Sequence, residues 1–253
     1  MSVEAFLKGW VSRMLPQAEQ DNDGGLVRLG RFGDVWTIGA VRKQHALADE
    51  GSYFVANTGN PATGVATAAA PTAFSDTAPM LTFYNQDSAG NQNSKRLHLD
   101  FIRLTVTAAG TAGVSFRAGI KIGTGSAYAS GGTSLTPTAV NMDVPARASI
   151  AHVAILPVAV AMTAPRVVVG DVYAIPTLAA VWPVGASVLF NFGGVETSGH
   201  GSIYASSTAT MLTNTVNLPP VVIGPGQSAV LLHLLTSQSA ASSWSAEIGW
   251  WER

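Results

Sequence analysis

Residues 95–107, KRLHLDFIRLTVT, constrain the fold of this chain more than any other segment. In the first half, the apolar residues lie at odd-numbered positions: Leu97, Leu99 and Phe101. In the second half they lie at even-numbered positions, so that their parity changes: Ile102, Leu104 and Val106. A period of two residues is typical of a strand with one buried face. One extra residue at Phe101–Ile102 would return both sets to the same face, so the pattern predicts a long central strand with a β-bulge. A strand that is partly covered on both faces is the alternative.

Other strand-like segments recur at short intervals and are joined by turns rich in Gly and Pro. They lie at residues 35–38, 52–56, 80–85, 114–122, 149–156, 166–175, 186–192, 201–205, 221–223, 229–236 and 243–251. Residues 123–147 contain Gly, Ser, Thr and Pro without a regular period, and we expect a long loop there. About ten strands and a single helix indicate an all-β chain folded as a sandwich.

Residues 1–15 carry the one convincing helical pattern. Apolar side chains recur there at the spacing of one helix face: Val3, Phe6, Leu7, Trp10, Met14 and Leu15. Pro16 ends this helix, and residues 17–25 have the composition of a solvated linker. Because so short a helix is marginal in water by itself, its apolar face needs a partner, either the core of the same domain or another protein.

The chain is therefore expected to have two parts. Residues 1–44 would form the N-terminal helix, the linker and an extended arm, and residues 45–253 would form the sandwich. Within the helix we predict an anchoring interface with another protein, formed by the large apolar side chains Phe6, Leu7, Trp10 and Met14.

The chain is poor in charge. Charged residues make up 11% of it, against about a quarter in soluble domains, and the formal net charge is −1. We therefore expect no binding of nucleic acid, and the 47% of hydrophobic residues excludes a disordered chain. Residues 172–246 contain one formally charged side chain, Glu196. Because obligate interfaces are depleted in charge, this stretch predicts a homo-oligomer.

The last predicted strand carries three tryptophans. Trp244 and Trp250 share one parity with Ala246 and Ile248, and we expect both in the sandwich core. Trp251 has the opposite parity, so we predict that it lies in the oligomer interface.

No pattern predicts a catalytic residue, a metal site or a cofactor. The five histidines are scattered, and the absence of cysteine excludes a thiolate ligand or nucleophile. The Gly-rich segments lack a Walker lysine, and no G-x-S-x-G elbow occurs. An acid–base pair could be assembled from the carboxylates of Asp87, Asp100, Asp143 and Asp171, but the sequence does not say which of them meet.

Two apolar stretches, residues 150–162 and 172–195, are interrupted by Pro, His, Gly or Asn. A spanning helix needs about 20 mostly apolar residues, so strands joined by turns suit these stretches better, and we expect no membrane partner. The first ten residues include Glu4 and lack a long apolar core. We expect no signal peptide, and synthesis in a cytoplasm without Sec export.

Four segments resemble structural proteins of tailed bacteriophages. They are DEGSYFVANTGNPATGV at 49–65, SKRLHLDFIRLTVTAAGTAG at 94–113, SGGTSLTP at 130–137 with NMD at 141–143, and VVIGPGQSAVL at 221–231. The resemblance implies a jelly-roll-like antiparallel β-sandwich, assembly into trimers or larger groups, and a place on the capsid or the tail. It implies no catalytic residue. The N-terminal helix is not part of it.

Three functions remain open at this point. The first is a non-enzymatic virion structural protein, such as a capsid decoration or head-fibre protein, whose partners would be a major capsid protein or portal and tail components. The second is a tail adaptor or a receptor-binding protein that recognises glycans. The third is a carbohydrate-active enzyme on a sandwich fold, which a carboxylate pair in a groove would favour.

Overall fold

The computed structural model describes residues 47–48, 50–58, 64–66, 73–88, 94–110, 116–141, 148–175, 184–193, 213–235 and 242–253. The predicted N-terminal helix and linker, the predicted strands at 35–38 and 201–205, and the predicted boundary between residues 44 and 45 lie outside these ranges.

Sixteen strands are present in the described part of the chain. Their bounds are β1 Tyr53–Asn57, β2 Val65–Ala66, β3 Leu81–Asn85, β4 Leu97–Ala108, β5 Phe116–Thr124, β6 Tyr128–Ser130, β7 Thr133–Leu135, β8 Thr138–Ala139, β9 Ala151–Ile155, β10 Val158–Ala159, β11 Thr163–Ile175, β12 Ser187–Phe192, β13 Thr213–Leu218, β14 Val222–Ile223, β15 Gln227–Leu235 and β16 Ser243–Glu252.

The strands form two large sheets and one small one. The first sheet has the order β13-β12-β4-β16-β1-β8, with β14 also paired to β4 and β2 to β16. The second sheet has the order β11-β5-β15-β3-β9-β7, and β10 pairs with β6 separately. The pair β12–β13 is parallel, which departs from the predicted antiparallel arrangement. Its 20-residue connection is long enough for the crossover that a parallel pair requires.

Aromatic contacts join the faces of the two large sheets. The ring of Trp250 on β16 lies 5.0 Å from that of Phe83 on β3, edge to face, and Trp244 lies 5.3 Å from Phe116 on β5. Both tryptophans are fully buried. The described part of the chain is therefore all-β, arranged as expected for a β-sandwich, and the prediction that Trp244 and Trp250 belong to the core is confirmed.

The central strand contains a β-bulge, as predicted, but between Leu99 and Phe101 rather than at the predicted Phe101–Ile102 position. Trp250 on β16 is opposite Leu99, whereas the preceding Gly249 is opposite Phe101, so Asp100 is the extra residue on β4. Leu99 and Leu104 are both buried despite their opposite parity in the sequence. The bulge brings Leu97 and Leu99 to the same core side as Ile102, Leu104 and Val106. Phe101, which was expected to share that side, instead lies half-buried on the outer face, because the extra residue comes before it.

The expectation of one long loop at 123–147 is wrong in its described part. Three short strands, β6, β7 and β8, lie within it. They consist mostly of Ser, Thr and Ala, so they lack the apolar alternation by which a strand is recognised in a sequence. Each is held by pairing with a strand that is distant in the sequence: β6 with β10, β7 with β9 and β8 with β1.

The internal contacts divide the chain into two compact units, residues 1–53 with 139–147 and residues 54–138 with 148–253. In the described part of the first unit, Gly51 N–H donates to Ala48 O at 2.9 Å and Val140 N–H donates to Tyr53 O at 3.2 Å. The second unit contains most strands of the two large sheets.

Candidate functional surfaces

The outer face of the first sheet is formed by side chains that point away from the core. Register and alternating burial place on it residues from four strands: His98, Phe101, Arg103 and Thr105 of β4, Ser245, Glu247 and Trp251 of β16, Ser187, Leu189 and Asn191 of β12, and Thr215 and Asn217 of β13. Most are half-buried, and Arg103 is exposed. The face is a broad neutral surface that contains three large apolar side chains.

Trp251 lies on this face, opposite in parity to the core tryptophans. It is half-buried, and its ring stacks on that of His98 with 5.3 Å between centroids and 6° between planes. The predicted outward position of this residue is thus observed, while its place in an oligomer interface stays a prediction.

The charged groups of this face partly neutralise each other. The guanidinium of Arg103 forms an ion pair and hydrogen bond with the carboxylate of Glu247 directly across the β4–β16 ladder. Both side chains are substantially exposed, so the pair contributes only about 0–1 kcal/mol to stability. Asn191 donates to Asn217 at 3.3 Å on the adjacent strands. The pairing of these groups lowers the desolvation cost of covering this face, without removing it.

The second sheet is covered on its outer side over part of its area. Phe74 packs there against a small apolar cluster of Ala127, Met162, Val230 and Leu232. The ammonium of Lys121 pairs with the carboxylate of Asp76 at 2.7 Å beside this segment. β15 is consequently buried on both faces, although the sequence shows no sign of which segments would cover it.

A cluster of aromatic and hydroxyl side chains lies on the same outer side, toward the β7 edge. Tyr84 on β3 and His152 on β9 are directly opposite each other, and the ring of Tyr128 on β6 lies 4.5 Å from the imidazole of His152. Ser134 Oγ on β7 is 3.5 Å from His152 Nε2. We call these four residues the Tyr128 cluster. Burial lowers the pKa of His152 below its usual value, so its imidazole is neutral at pH 7.

The sequence did not predict the Tyr128 cluster, because Tyr128 lies in the expected loop and His152 is one of five scattered histidines. A serine near a neutral imidazole is the start of a nucleophile–base pair. Among the described residues, however, no third group forms a hydrogen bond that would orient His152 for this purpose. Ser134 and His152 therefore form a long hydrogen bond at the surface of the sheet.

The candidate carboxylates have structural partners where they are described. Asp87 accepts hydrogen bonds from the backbone N–H of Ser88 at 2.8 Å and of Lys95 at 2.7 Å, and so closes the loop between β3 and β4. Asp100 is the extra residue of the β4 bulge. Asp143 and the side chain of Asp171 lie outside the described part of the chain.

A different carboxylate, that of Glu252, is buried. Its Oε1 accepts hydrogen bonds from Ser149 Oγ at 2.5 Å, from Ile150 N–H at 3.0 Å and from Trp250 Nε1 at 3.4 Å. Its Oε2 is 3.5 Å from the ammonium of Lys95. Because the group connects the end of β16 with the start of β9, its role is to join the two sheets.

Within the described ranges, no three His, Asp or Glu side chains lie close enough together to hold a metal ion. No helix there is long and apolar enough to cross a membrane. The four predicted anchor residues, Phe6, Leu7, Trp10 and Met14, lie outside the described residues. No known protein family, curated protein or solved structure matches the chain.

Proposed function

We propose that the protein is a non-enzymatic structural protein of a tailed-bacteriophage virion, of the capsid decoration or head-fibre type. The observation that carries the proposal is the order of eight strands. Counted along the chain, β1, β3, β4, β5, β11, β12, β15 and β16 are strands one to eight. One sheet contains them in the order one-eight-three-six and the other in the order two-seven-four-five.

This order supports a jelly roll, because a jelly roll distributes its eight strands between two sheets in the same way. Capsid proteins are among the proteins that use this fold, as are lectin domains. Fold alone does not determine function. The resemblance of four segments to tailed-phage structural proteins is a second and separate argument for the same role.

The outer face of the first sheet supports assembly of several copies. It presents Phe101, Leu189 and Trp251 among Ser, Thr and Asn, with Arg103 and Glu247 paired. Interface cores are depleted in charge and enriched in aromatic residues, so this face suits burial against another copy. We propose a homo-oligomer, with a trimer favoured, that has Trp251 in its interface.

The protein would be made in the host cytoplasm and incorporated into the virion. The N-terminal helix, through Phe6, Leu7, Trp10 and Met14, would attach the sandwich to a major capsid protein or to portal or tail components.

Sedimentation velocity of the purified chain tests the assembly. The expected result is a trimer or larger species for the natural sequence and dissociation toward monomer for Trp251→Ser. Val167→Ser is the matched control, because Val167 is an exposed apolar side chain on β11 of the other sheet. A natural chain that is monomeric at micromolar concentration contradicts the assembly, and equal effects of both substitutions contradict the choice of face.

The proposed location in the virion can be tested with gradient-purified virions of a phage that encodes this chain. An antibody raised against the purified protein should label the particle surface in electron micrographs. Absence of the protein from such virions by mass spectrometry would refute the virion role.

A further inference from the structure

The Tyr128 cluster is a surface feature that neither the core nor the proposed assembly face uses. Its residues come from β3, β6, β7 and β9, all on the side of the second sheet that faces away from the sandwich core. Phe83, Leu135 and Val153, which have the other parity on the same strands, are buried in the core. The four side chains are therefore brought together on the outside by pairing of strands that are distant in the sequence.

The cluster combines ring faces with hydrogen-bonding tips. Tyr84, Tyr128 and His152 are half-buried, and Ser134 is exposed. Within the described part of the chain, neither tyrosine hydroxyl forms a hydrogen bond. A tyrosine whose body is packed and whose hydroxyl is unengaged presents an apolar surface and a donor–acceptor to the same ligand.

The cluster lies on strands without formally charged side chains. No Asp, Glu, Lys or Arg occurs at residues 122–142 or at residues 148–165, which include β6, β7, β9 and β10. The polar groups next to the cluster are hydroxyls, including those of Ser130 and Thr133, both exposed. This composition suits a neutral ligand with many hydroxyl groups and disfavours a phosphate or a carboxylate, which would lack a cationic partner.

The backbone holds the cluster in place. Gly131 and Gly132, between β6 and β7, have φ angles of +67° and +66°, and a Cβ on Gly132 would lie 2.5 Å from Ile155 O. Leu156, directly after β9, has a φ of +48°, a left-handed conformation that is strained for a residue with a side chain. The turn carrying β6 thus packs closely on the end of β9, which orients the Tyr128 ring against His152. A preorganised site loses less entropy when it binds.

We propose that the Tyr128 cluster is a binding site for a neutral saccharide. The apolar C–H face of a pyranose ring would stack on Tyr128, and its hydroxyls would bond with Tyr84 Oη, Ser134 Oγ and the neutral imidazole of His152. Each of these groups has the chemistry that a sugar edge requires, since hydroxyl and imidazole both donate and accept. The inference does not rest on the proposed virion role, and either can hold without the other.

Saturation-transfer difference NMR on the full chain tests this site. The probes are lactose, maltotriose, cellotriose and chitotriose, with sialyllactose as an anionic comparison, each at about 10 mM, where a site with a millimolar Kd is well occupied. We expect transfer to the C–H protons of at least one neutral sugar. We expect Tyr128→Leu, which removes the ring but keeps an apolar side chain, to weaken its binding roughly tenfold.

The matched control is Val158→Thr, an exposed position opposite Ser130 in the β6–β10 pair, which leaves the four residues of the cluster intact. Its affinity should equal that of the natural chain, and far-ultraviolet circular dichroism should show both variants folded. Ser134→Ala provides a second variant that retains the ring and should lose a smaller part of the affinity. Three results overturn the proposal: no transfer to any neutral sugar, preference for sialyllactose, or binding that is unchanged in Tyr128→Leu.

Discussion

At the scale of single residues, His233 is the least favourable group in the core. It is buried on β15, its ring stacks on Phe116 at 6.5 Å, and neither of its nitrogens has a hydrogen-bond partner among the described residues. Its neighbour across the ladder is Ala118, and no charged group among the described residues forms a hydrogen bond with its imidazole. Burial lowers the pKa of His233 to about 4.

A buried neutral histidine makes stability depend on pH. The folded pKa lies below that of the unfolded chain, about 6.5, so the stabilisation is complete above pH 6.5 and is lost as the pH falls toward 4. The loss attributable to His233 amounts to about 3 kcal/mol. His233→Leu should remove most of this dependence and should stabilise the protein at pH 7 by about 1–3 kcal/mol, because two unpaired nitrogens disappear.

Urea unfolding of the natural chain and of His233→Leu measures this at pH 7.5, 5.5 and 4.5, values that cover most of the interval between the two pKa values. His152→Gln is the control, since this histidine is only half-buried and should alter the pH dependence less. If the free energy of unfolding depends on pH equally in the natural chain and in His233→Leu, His233 does not cause the loss of stability at low pH.

Glu252 and Glu247 offer a comparison of two carboxylates on one strand. Glu252 is buried, accepts three hydrogen bonds at Oε1 and pairs with Lys95 at Oε2, whereas Glu247 shares one exposed ion pair with Arg103. Glu252→Gln should lower the free energy of unfolding by about 1.5–3 kcal/mol, because hydrogen bonds to a charged acceptor are lost or weakened. Glu247→Gln should change it by about 0–1 kcal/mol. Chemical denaturation of both variants measures the two changes in the free energy of unfolding. Equal changes would show that burial of the carboxylate does not determine its contribution to stability.

At the scale of elements, the bulge determines what β4 contributes to the core. Leu99 and Leu104 lie on either side of Asp100, and both face inward. Leu99→Ala and Leu104→Ala should each cost about 2–5 kcal/mol, the usual cost of a cavity in a packed interior. Leu189→Ala on the neighbouring β12 is the control, since Leu189 is half-buried on the outer face and should cost clearly less. Thermal unfolding ranks the three, and a small effect at Leu99 alone would mean that the bulge does not return that residue to the core.

At the scale of the whole molecule, we predict that the N-terminal segment acts as an anchor rather than as part of the sandwich. Burial of Phe6 and Trp10 on a partner would contribute about 3–6 kcal/mol together, at about 1.5–3 kcal/mol for each large apolar side chain. Deletion of residues 1–23 should therefore leave the melting temperature nearly unchanged while abolishing incorporation into particles. Differential scanning calorimetry and particle purification measure the two effects. Unfolding of the β domain on deletion would show instead that the helix belongs to its core.

Several features of the fold were accessible from the sequence because their cause is local. The parity of apolar residues along 95–107 indicates the bulge, since adjacent side chains in a strand must point to opposite faces. The same rule separated Trp251 from Trp244 and Trp250. Charged Glu252 shares the parity of the core tryptophans, yet its burial could not be expected, because the donors that satisfy it come from residues 149 and 150.

The sequence by itself therefore determined the strand periodicity, the bulge and the inward or outward direction of the tryptophans, all consequences of backbone geometry within one strand. The tertiary structure alone decided which strands are neighbours, that β6, β7 and β8 form at all, and that Tyr84, Tyr128, Ser134 and His152 meet. The physical reason is that a strand made of Ser, Thr and Ala is stabilised by hydrogen bonds to its partner rather than by its own residues, and the partner is chosen by the packing of the entire core.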